Sequence, residues 1–306
     1  MCGVAGIASL EGVSTPDREK IARMVSAIRH RGPDDDGYYF APGIGLGHAR
    51  LSIIDVAGGK QPIHNEDQSI WICYNGEVFN YVELRDDLLA RGHSFYTSTD
   101  TEVIVHLYEE YGLDFVHHLN GQFAIALWDQ NRRRLVLARD RVGILPLFYA
   151  LTGENLVFAS EVKGLLASGL VAPALDANAL DDILTFWCPV APSTIFSGVS
   201  QVRPGEMVVL EKGALSSRQY WDWNYPDAGA HLTGSAQKLA DELEDLLSDA
   251  TRIRLRADVP VGAYLSGGLD SSALVALIQR QGLSELRTFS IAFESKVHDE
   301  STYQSE

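Results

Sequence analysis

The sequence has few cysteines, a shortage of basic residues and no long apolar run. Its three cysteines, Cys2, Cys73 and Cys188, are too few for a disulfide framework, so we expect reduced thiols and a cytoplasmic protein. The 25 basic residues are outnumbered by 41 acidic ones, which argues against a protein that binds nucleic acid through its phosphates. The longest apolar block, Phe123–Trp128, is far too short to cross a membrane, and the first residues lack the basic region of a signal peptide. We therefore expect neither a nucleic-acid partner nor a membrane partner.

What the sequence does have is enough material for two folded domains. The chain of 306 residues is 46% apolar and 22% charged, which is ordinary globular usage. At roughly 150 residues per domain, this length predicts about two domains, and the apolar content suffices for a large core.

Residues 1 to about 165 have the pattern of an α+β domain. Short apolar runs predict strands, and the brief links at 130–132 and 153–155 are typical of antiparallel hairpins. Apolar residues at four-residue steps from Val103 to Tyr111 predict one of three helices. The predicted strands are Val4–Ser9, Leu46–Ile54, Ile70–Tyr74, Phe123–Asp129, Leu135–Arg139 and Leu156–Ala159, and the predicted helices are Asp17–Arg29, Tyr81–Arg91 and Thr101–Tyr111.

The pattern changes near residue 235. An amphipathic helix from Leu239 to Ile253 is followed by an apolar strand at Val259–Leu265, a Gly-rich segment, a helix at Ala273–Gln281 and an apolar strand at Thr288–Phe293. This order is a βαβ unit, which predicts a parallel sheet. Too few residues follow position 228 for a complete doubly wound sheet, so we expect the chain to end inside its second domain. We place the first domain at 1–210, with a connector from about 170, and the second at 229–306.

Cys2 is the first candidate for chemistry. If Met1 is removed, the Cys2 thiol lies beside a free α-amino group whose reference pKa is about 7.7–8.0. Such an amine can act as the base for its own side chain, as it does in N-terminal nucleophiles. A lone cysteine at this position is more often a small strand residue, so the hypothesis depends on its companions.

Five further segments accompany Cys2 in a fixed order. They are RGPD at 31–34, GHARLSI at 47–53, YNGE at 74–77, TDTEV at 99–103 and LARDR at 137–141. Together with SGGLDSS at 266–272, this set resembles the glutamine-hydrolysing asparagine synthetases, in which a class II glutamine amidotransferase domain precedes an ATP-pyrophosphatase domain. The resemblance covers nearly the whole chain. It implies an N-terminal-nucleophile α-β-β-α sandwich, followed by the first part of an α/β parallel-sheet (PP-loop) domain.

The resemblance also implies which residues of the first domain handle glutamine. Arg50 matches the position that binds the substrate α-carboxylate, which suits a guanidinium. Asp100 matches the position that binds the α-ammonium, with Glu77 nearby. Cys2 matches the nucleophile, and the Asn75 amide and Gly76 N–H match the donors that stabilise the tetrahedral oxyanion. The backbone around the substrate is Leu51, Ser52, Ile53 and Ile54.

The SGGLDSS segment predicts an anion site. Backbone N–H groups of a Gly-rich turn at a helix start favour an anion, and no Walker motif occurs in the sequence. By resemblance this is a pyrophosphate loop that binds ATP, with Asp270 holding Mg²⁺ and with the backbone at Leu265 and Ile291 contacting the nucleotide. The loop residues are Ser266, Gly267, Gly268, Leu269, Asp270, Ser271 and Ser272.

The implied reaction is glutamine-dependent asparagine synthesis. Glutamine yields glutamate and ammonia at Cys2, ATP adenylates aspartate, and ammonia displaces AMP. A homodimer is compatible with this assignment. Two alternatives stay open: an amidotransferase that amidates another carboxylate, and a truncated chain that binds glutamine or a partner without synthetase activity.

Other residues are interpreted as structural. His117 and His118 have no partner at metal-ligand spacing. Cys73 and Cys188 are predicted to be buried packing residues. The YNGE segment is predicted to end its strand at a turn, for which Gly76 would supply the tight backbone.

Overall fold

The computed structural model describes residues 1–11, 14–282, 286–294 and 301–304. The chain divides into two compact units, which we call the N-terminal unit (Met1–Trp223) and the C-terminal unit (Asn224–Glu306).

The N-terminal unit is built from short strands with helices between them. In chain order its elements are β1 (Gly3–Ser9), α1 (Arg18–Ala27), β2 (Asp35–Ala41), β3 (Ile44–Arg50), β4 (Ile63–His64), β5 (Ile70–Val78), α2 (Tyr81–Ala90), α3 (Asp100–Tyr111), β6 (Gly121–Asp129), β7 (Arg134–Arg139), β8 (Phe148–Thr152), β9 (Asn155–Ala159), α4 (Val162–Ala167), α5 (Ala177–Phe186), β10 (Ser200–Gln201), β11 (Glu206–Glu211) and β12 (Ala214–Gln219).

These strands form two antiparallel sheets that pack face to face. The first sheet has the order β10-β8-β9-β1-β3-β2, and the second has the order β12-β11-β7-β6-β5-β4. One apolar cluster, which includes Val4, Leu46, Trp128 and Phe158, fills the space between the sheets. Two further clusters pack α1 and α4 on the outer face of the first sheet and α3 on the outer face of the second. The predicted α-β-β-α sandwich is confirmed.

The helices begin where side chains satisfy their first N–H groups. Asp17 accepts a hydrogen bond from the Glu19 N–H at 2.8 Å and so starts α1, whose Ile21 and Met24 are buried against the first sheet. Thr99 accepts one from the Glu102 N–H at 3.2 Å and so starts α3. Asp100 is therefore the first residue of α3 and not its cap.

Two of the element boundaries that differ from the sequence prediction concern the candidate site. The strand predicted at Leu46–Ile54 ends at Arg50, and residues 51–54 form a loop. The YNGE segment is not a turn, because β5 continues to Val78 and pairs Gly76 with Phe123. Polar residues follow Tyr74, so the apolar signal stops before the strand does. Gly76 is needed for space: a Cβ there would lie 2.3 Å from the Gln122 carbonyl oxygen.

The two remaining cysteines have different environments. Cys73 is fully buried between the sheets, as predicted. The prediction for Cys188 is wrong, because its side chain is exposed. It follows Phe186 and Trp187, which are exposed as well, so this apolar segment does not enter the core.

The C-terminal unit contains the predicted βαβ unit. Its elements in chain order are α6 (Ala236–Arg254), β13 (Gly262–Tyr264), α7 (Leu269–Arg280), β14 (Arg287–Phe289) and α8 (Ser301–Gln304). Strands β13 and β14 are parallel, with Ala263 opposite Thr288. Helix α7 begins four residues earlier than predicted, inside the Gly-rich segment. In the part of the chain that the structure describes, no helix is both long and apolar enough to cross a membrane.

Candidate active site

Cys2 lies immediately before β1, at one end of the inter-sheet space. Its Sγ is 3.4 Å from the Leu51 nitrogen, which donates to it, and 3.5 Å from the Leu51 carbonyl oxygen. Burial raises the pKa of the thiol. Partial burial lowers the pKa of the chain's α-amino group, which here belongs to Met1. These two shifts favour the protonated form of the Cys2 thiol and the neutral form of the Met1 α-amino group.

An ionic network on the first sheet holds the Cys2 backbone. The Arg31 Nε donates to the Cys2 carbonyl oxygen at 2.8 Å, and the Arg31 Nη1 lies 2.9 Å from the Glu161 carboxylate. His30 and Lys163 also contact Glu161. Partial burial opposes ionisation of Glu161, but hydrogen bonds from Arg31, Lys163 and His30 lower its pKa to about 2. The carboxylate therefore stays charged at any physiological pH and keeps Arg31 in place.

Arg50, the last residue of β3, organises the loop that follows it. Its guanidinium donates to the carbonyl oxygens of Val56 at 3.0 Å and Asp55 at 2.6 Å, and lies 3.5 Å from that of Ile54. A guanidinium has five N–H donors, so these contacts do not exhaust it. The loop is thus wrapped around a buried positive charge at the floor of a cavity.

Asn75 and Gly76 lie on the outer edge of β5, opposite the edge that pairs with β6. In an antiparallel strand, alternate residues point their N–H groups to the same side. The Tyr74 N–H donates to Gln61 at 2.6 Å and the Val78 N–H donates to Asp100 at 2.9 Å, both away from β6. The Gly76 N–H between them therefore points to this side too. The Asn75 side-chain nitrogen is buried and has no hydrogen-bond partner in the structure.

Asp100 closes the site from α3. Its Oδ2 accepts hydrogen bonds from the Tyr74 hydroxyl and the Val78 N–H, each at 2.9 Å. Burial raises the pKa of this carboxyl to about 6, and the hydrogen bonds only partly oppose that rise. Asp100 is therefore a buried carboxyl that titrates close to neutrality.

One cavity brings together nearly all the residues predicted to bind glutamine. Ser52 is the exception, because its N–H donates to Asp34 at 2.8 Å and the residue is not in the cavity wall. The predicted residues in the wall are Cys2, Arg50, Leu51, Ile53, Ile54, Asn75, Gly76, Glu77 and Asp100.

Three further residues support this cavity, although the sequence motifs did not predict a role for them. His48 Nε2 lies 3.0 Å from the Tyr74 carbonyl oxygen, and burial lowers its pKa to about 4, so the ring is neutral. Tyr74 orients Asp100, and Gln61 holds the Tyr74 N–H. His48 and Tyr74 belong to the GHARLSI and YNGE segments, whereas no sequence signal marks Gln61.

The Gly-rich segment of the C-terminal unit folds back on itself. The Ser266 and Ser271 hydroxyls are 3.0 Å apart, and the Ser266 N–H donates to the Ser271 oxygen at 3.2 Å. Gly267 has a φ of +89°, which favours glycine, and Gly268 caps α7. The exposed Asp270 lies in the first turn of α7.

Five of the nine residues predicted to bind ATP line two different cavities. Leu265, Ser266 and Ile291 line one of them, where Gln304 donates to the carbonyl oxygens of both Ser266 and Ile291 at 3.2 Å. Asp270 and Ser271 line another, beside Tyr264.

The two-sheet fold and the cavity around Cys2 fit the class of glutamine amidotransferase domains. The chain belongs to the glutamine amidotransferase family, whose domain model matches residues 1–221. A second family model, that of asparagine synthase, matches residues 242–306.

Three comparisons illustrate this membership. The chain is 38% identical over 299 residues to asparagine synthetase (glutamine-hydrolyzing) 1 of Bacillus subtilis (strain 168), covering 97% of this chain and 46% of that one. It is also 38% identical over 291 residues to amidase chry2 of Gibberella zeae, covering 91% and 43%. The chain thus spans about half the length of the curated relatives it matches. A solved structure of glutamine phosphoribosylpyrophosphate amidotransferase from B. subtilis shares its fold, with a TM-score of 0.52 at 18% identity, covering 97% of this chain and 68% of that one.

The raised pKa of Asp100 predicts a pH-dependent stability. The folded state holds this proton up to about pH 6, whereas the unfolded carboxyl releases it near 3.8, so the free energy of unfolding should fall as pH rises between these values. The expected fall in the free energy of unfolding is on the order of 1–3 kcal/mol. It should be absent in Asp100→Asn, which keeps the acceptor oxygen but does not titrate. Urea unfolding at pH 4.5 and 6.5 measures it. The exposed Asp86→Asn should keep the wild-type slope; an unchanged slope in Asp100→Asn would contradict the assignment.

Proposed function

We propose that this protein hydrolyses glutamine at Cys2 and uses the ammonia for ATP-dependent synthesis of asparagine. The observation that carries the first half is the buried Asn75 amide nitrogen without a partner, on the wall of the cavity that holds the Cys2 thiol. An unpaired buried donor costs stability, so its place beside a nucleophile favours a role in binding a transient negative charge.

The thiol reacts first. With Met1 removed, the α-amino group of Cys2 takes the thiol proton, and the thiolate attacks the side-chain carbonyl carbon of glutamine. The carbonyl oxygen becomes an oxyanion, which the Asn75 Nδ2 and the Gly76 N–H stabilise. The amine then returns its proton to the leaving nitrogen, ammonia departs, and water hydrolyses the thioester to glutamate. The Arg31 contact keeps the Cys2 backbone in place throughout.

The other end of glutamine is held by opposite charges. Arg50 pairs with the α-carboxylate, and its contacts to the loop place the backbone of Leu51, Ser52, Ile53 and Ile54 around the substrate. Asp100 pairs with the α-ammonium, assisted by Glu77 in the same cavity. Since Asp100 must be ionised for this, glutamine should bind more tightly above its pKa of about 6.

The C-terminal unit supplies the beginning of the ATP site. The Gly-rich loop and the first turn of α7 present backbone N–H groups that suit a pyrophosphate, and Leu265 and Ile291 line an adjacent cavity for the nucleotide. One exposed carboxylate fits Mg²⁺, which is usually held by one or two carboxylates together with substrate phosphates, so Asp270 would hold the ion. A Mg²⁺ held there would supply positive charge beside the phosphates. The aspartate side-chain carboxylate attacks the α-phosphorus of ATP and pyrophosphate leaves. Ammonia then displaces AMP from the resulting acyl adenylate.

The proposed protein has an amidotransferase domain at 1–210 and a synthetase domain at 229–306. It is cytoplasmic and forms a homodimer. A second acceptor class has a specific observation in its favour, because the fungal amidase is as similar to this chain as the Bacillus asparagine synthetase. The product could then be an amide other than asparagine.

The first test concerns the nucleophile. Treatment with a glutamine-mimicking diazoketone should add one adduct to a chain that has lost Met1, as read from its intact mass. Cys2→Ala should add none, because the thiolate is the attacking group. Cys188→Ala is the matched control, since it removes an exposed thiol outside the cavity and should keep the adduct. A retained Met1, or an adduct on Cys2→Ala, would refute the proposed nucleophile.

The second test concerns the oxyanion donors. Asn75→Ala should lower kcat for glutamine hydrolysis by about 10²–10³-fold with a much smaller change in KM, because the lost hydrogen bond forms in the transition state. Glutamate release measures the rate. Asn178→Ala, an exposed position on α5, should have wild-type kinetics. A wild-type kcat in Asn75→Ala would exclude this donor.

The third test concerns the acceptor. The protein purified from its own cells should exchange labelled pyrophosphate into ATP when aspartate is present, because adenylation is reversible before ammonia arrives. Other carboxylic acids serve as controls under the same conditions. Exchange with another acid but not with aspartate would favour the amidase-like alternative and reject asparagine as the product.

A further inference from the structure

A group of imidazoles and carboxylates converges in the N-terminal unit, outside the cavity that holds Cys2. Glu66 lies in the turn after β4, His93 follows α2, and His106 and Glu109 lie one turn apart on α3. One nitrogen or oxygen atom from each residue lies within 4.8 Å of the corresponding atoms of the other three. We call these four residues the His–Glu cluster. It joins three separate segments of the chain.

The distances within the His–Glu cluster fit one shared ligand. The His106 Nδ1 is 2.7 Å from the Glu109 Oε2 and 3.7 Å from the Glu66 Oε2. The His93 Nδ1 is 3.6 Å from the same Glu109 oxygen. Zinc binds imidazole nitrogen and carboxylate oxygen at about 2.0–2.2 Å, so tetrahedral donor atoms lie roughly 3.3–3.5 Å apart. The His106–Glu109 contact is a hydrogen bond and is shorter than this range, whereas the other two distances are slightly longer, so a bound ion would replace that hydrogen bond.

Contacts outside the cluster fix the orientation of its side chains. The His93 Nε2 lies 2.9 Å from Glu110, and the second oxygen of Glu109 accepts from Asn65 at 2.8 Å. The second oxygen of Glu66 accepts from the Ser94 N–H at 2.8 Å. Metal-binding histidines commonly have a carboxylate on the other ring nitrogen, as His93 has here.

The surroundings of His106 are acidic. Its side chain is fully buried, and its Nε2 has no hydrogen-bond partner in the structure, with the Glu102 carboxylate 3.6 Å away. The ring is therefore held between carboxylates on both sides. Glu66, Glu102, Glu109 and Glu110 together outnumber the two imidazoles, although Arg91 lies 3.4 Å from Glu110. This excess of negative charge favours a divalent cation.

We propose that Glu66, His93, His106 and Glu109 bind one divalent transition-metal ion, best matched by Zn²⁺. Two imidazoles exclude the all-oxygen shells that Mg²⁺ and Ca²⁺ prefer. Four protein donors fill a tetrahedral shell, which is typical of a structural zinc site and not of a catalytic one.

The bound ion would brace the wall of the cavity around Cys2. Glu102 lies between the two sites: its carboxylate faces His106 and accepts hydrogen bonds from the Tyr96 and Thr97 N–H groups at 2.8 and 2.7 Å. Thr97 in turn contacts Thr99, which caps α3 just before Asp100. The metal would therefore hold the start of α3 against the preceding loop. This inference does not depend on the proposed reaction.

Metal titration of chelator-treated protein tests the proposal. We expect one equivalent of Zn²⁺ by mass spectrometry of the metal, a rise in melting temperature on adding it, and a tetrahedral cobalt absorption band with Co²⁺. His93→Asn and Glu66→Gln replace polar side chains by smaller or equal-sized polar ones at positions that are 13% and 42% exposed, so both should fold. Each should weaken metal binding by at least about tenfold. His117→Gln, an exposed histidine near Asp114, should bind like the wild type.

Three results would overturn the site. Equal metal affinity in the wild type and in both variants would place any binding elsewhere, and a cobalt–thiolate band would place it on a cysteine. Absence of stoichiometric binding would leave the four residues as an ion-pair cluster without metal. Melting temperatures of the metal-free variants separate these outcomes from misfolding.

Discussion

The outer edge of β5 is the constraint on which the rest of the candidate site depends. Within the described residues, β4 pairs with β5 only at Trp71 and Ile72, so the strand beyond them has a neighbour on one side alone. Buried backbone groups must still find partners. Side chains provide them: Gln61 binds the Tyr74 N–H, His48 lies at the Tyr74 carbonyl oxygen, and Asp100 binds the Val78 N–H.

Each of these side chains comes from a different part of the unit. His48 belongs to the first sheet, Gln61 to the loop that Arg50 organises, and Asp100 to the helix outside the second sheet. The bonds that complete the edge of β5 therefore also join three layers of the sandwich around one cavity. Asn75 and Gly76 lie between the satisfied positions and line the same cavity as Cys2. The outer edge of β5 thus accounts both for the side-chain hydrogen bonds to this strand and for the position of the candidate donors.

The sequence predicts the apolar strands and the motif residues of this site well, but it does not predict the contacts between distant segments that support them. Apolar runs located β1, β6, β7 and β9 closely, and the ordered motifs placed Cys2, Arg50 and Asp100 at one site, because these signals are local. The sequence predicts a turn at the polar end of β5, because an Asn-Gly dipeptide favours a turn unless a neighbouring strand pairs with it. Pairing with Phe123 depends on residues far along the chain, which no local pattern contains. The sequence does not predict the contacts of Gln61 or of the His–Glu cluster for the same reason, because their partners come from separate segments of the chain.

Met1 has a particular position in this structure, because it lines the same cavity as Arg50, Asn75 and Asp100. A chain that keeps Met1 has an amine one residue away from the thiol and a side chain at the cavity entrance. In a chain that loses Met1, one cleavage removes that side chain from the cavity and frees the amine that the proposed mechanism uses as the base. Aminopeptidase trimming would then act like the activation of a zymogen, set once for each molecule at synthesis. Where removal of Met1 is incomplete, the protein would be a mixture of two populations, whose specific activity reports the fraction that has lost Met1.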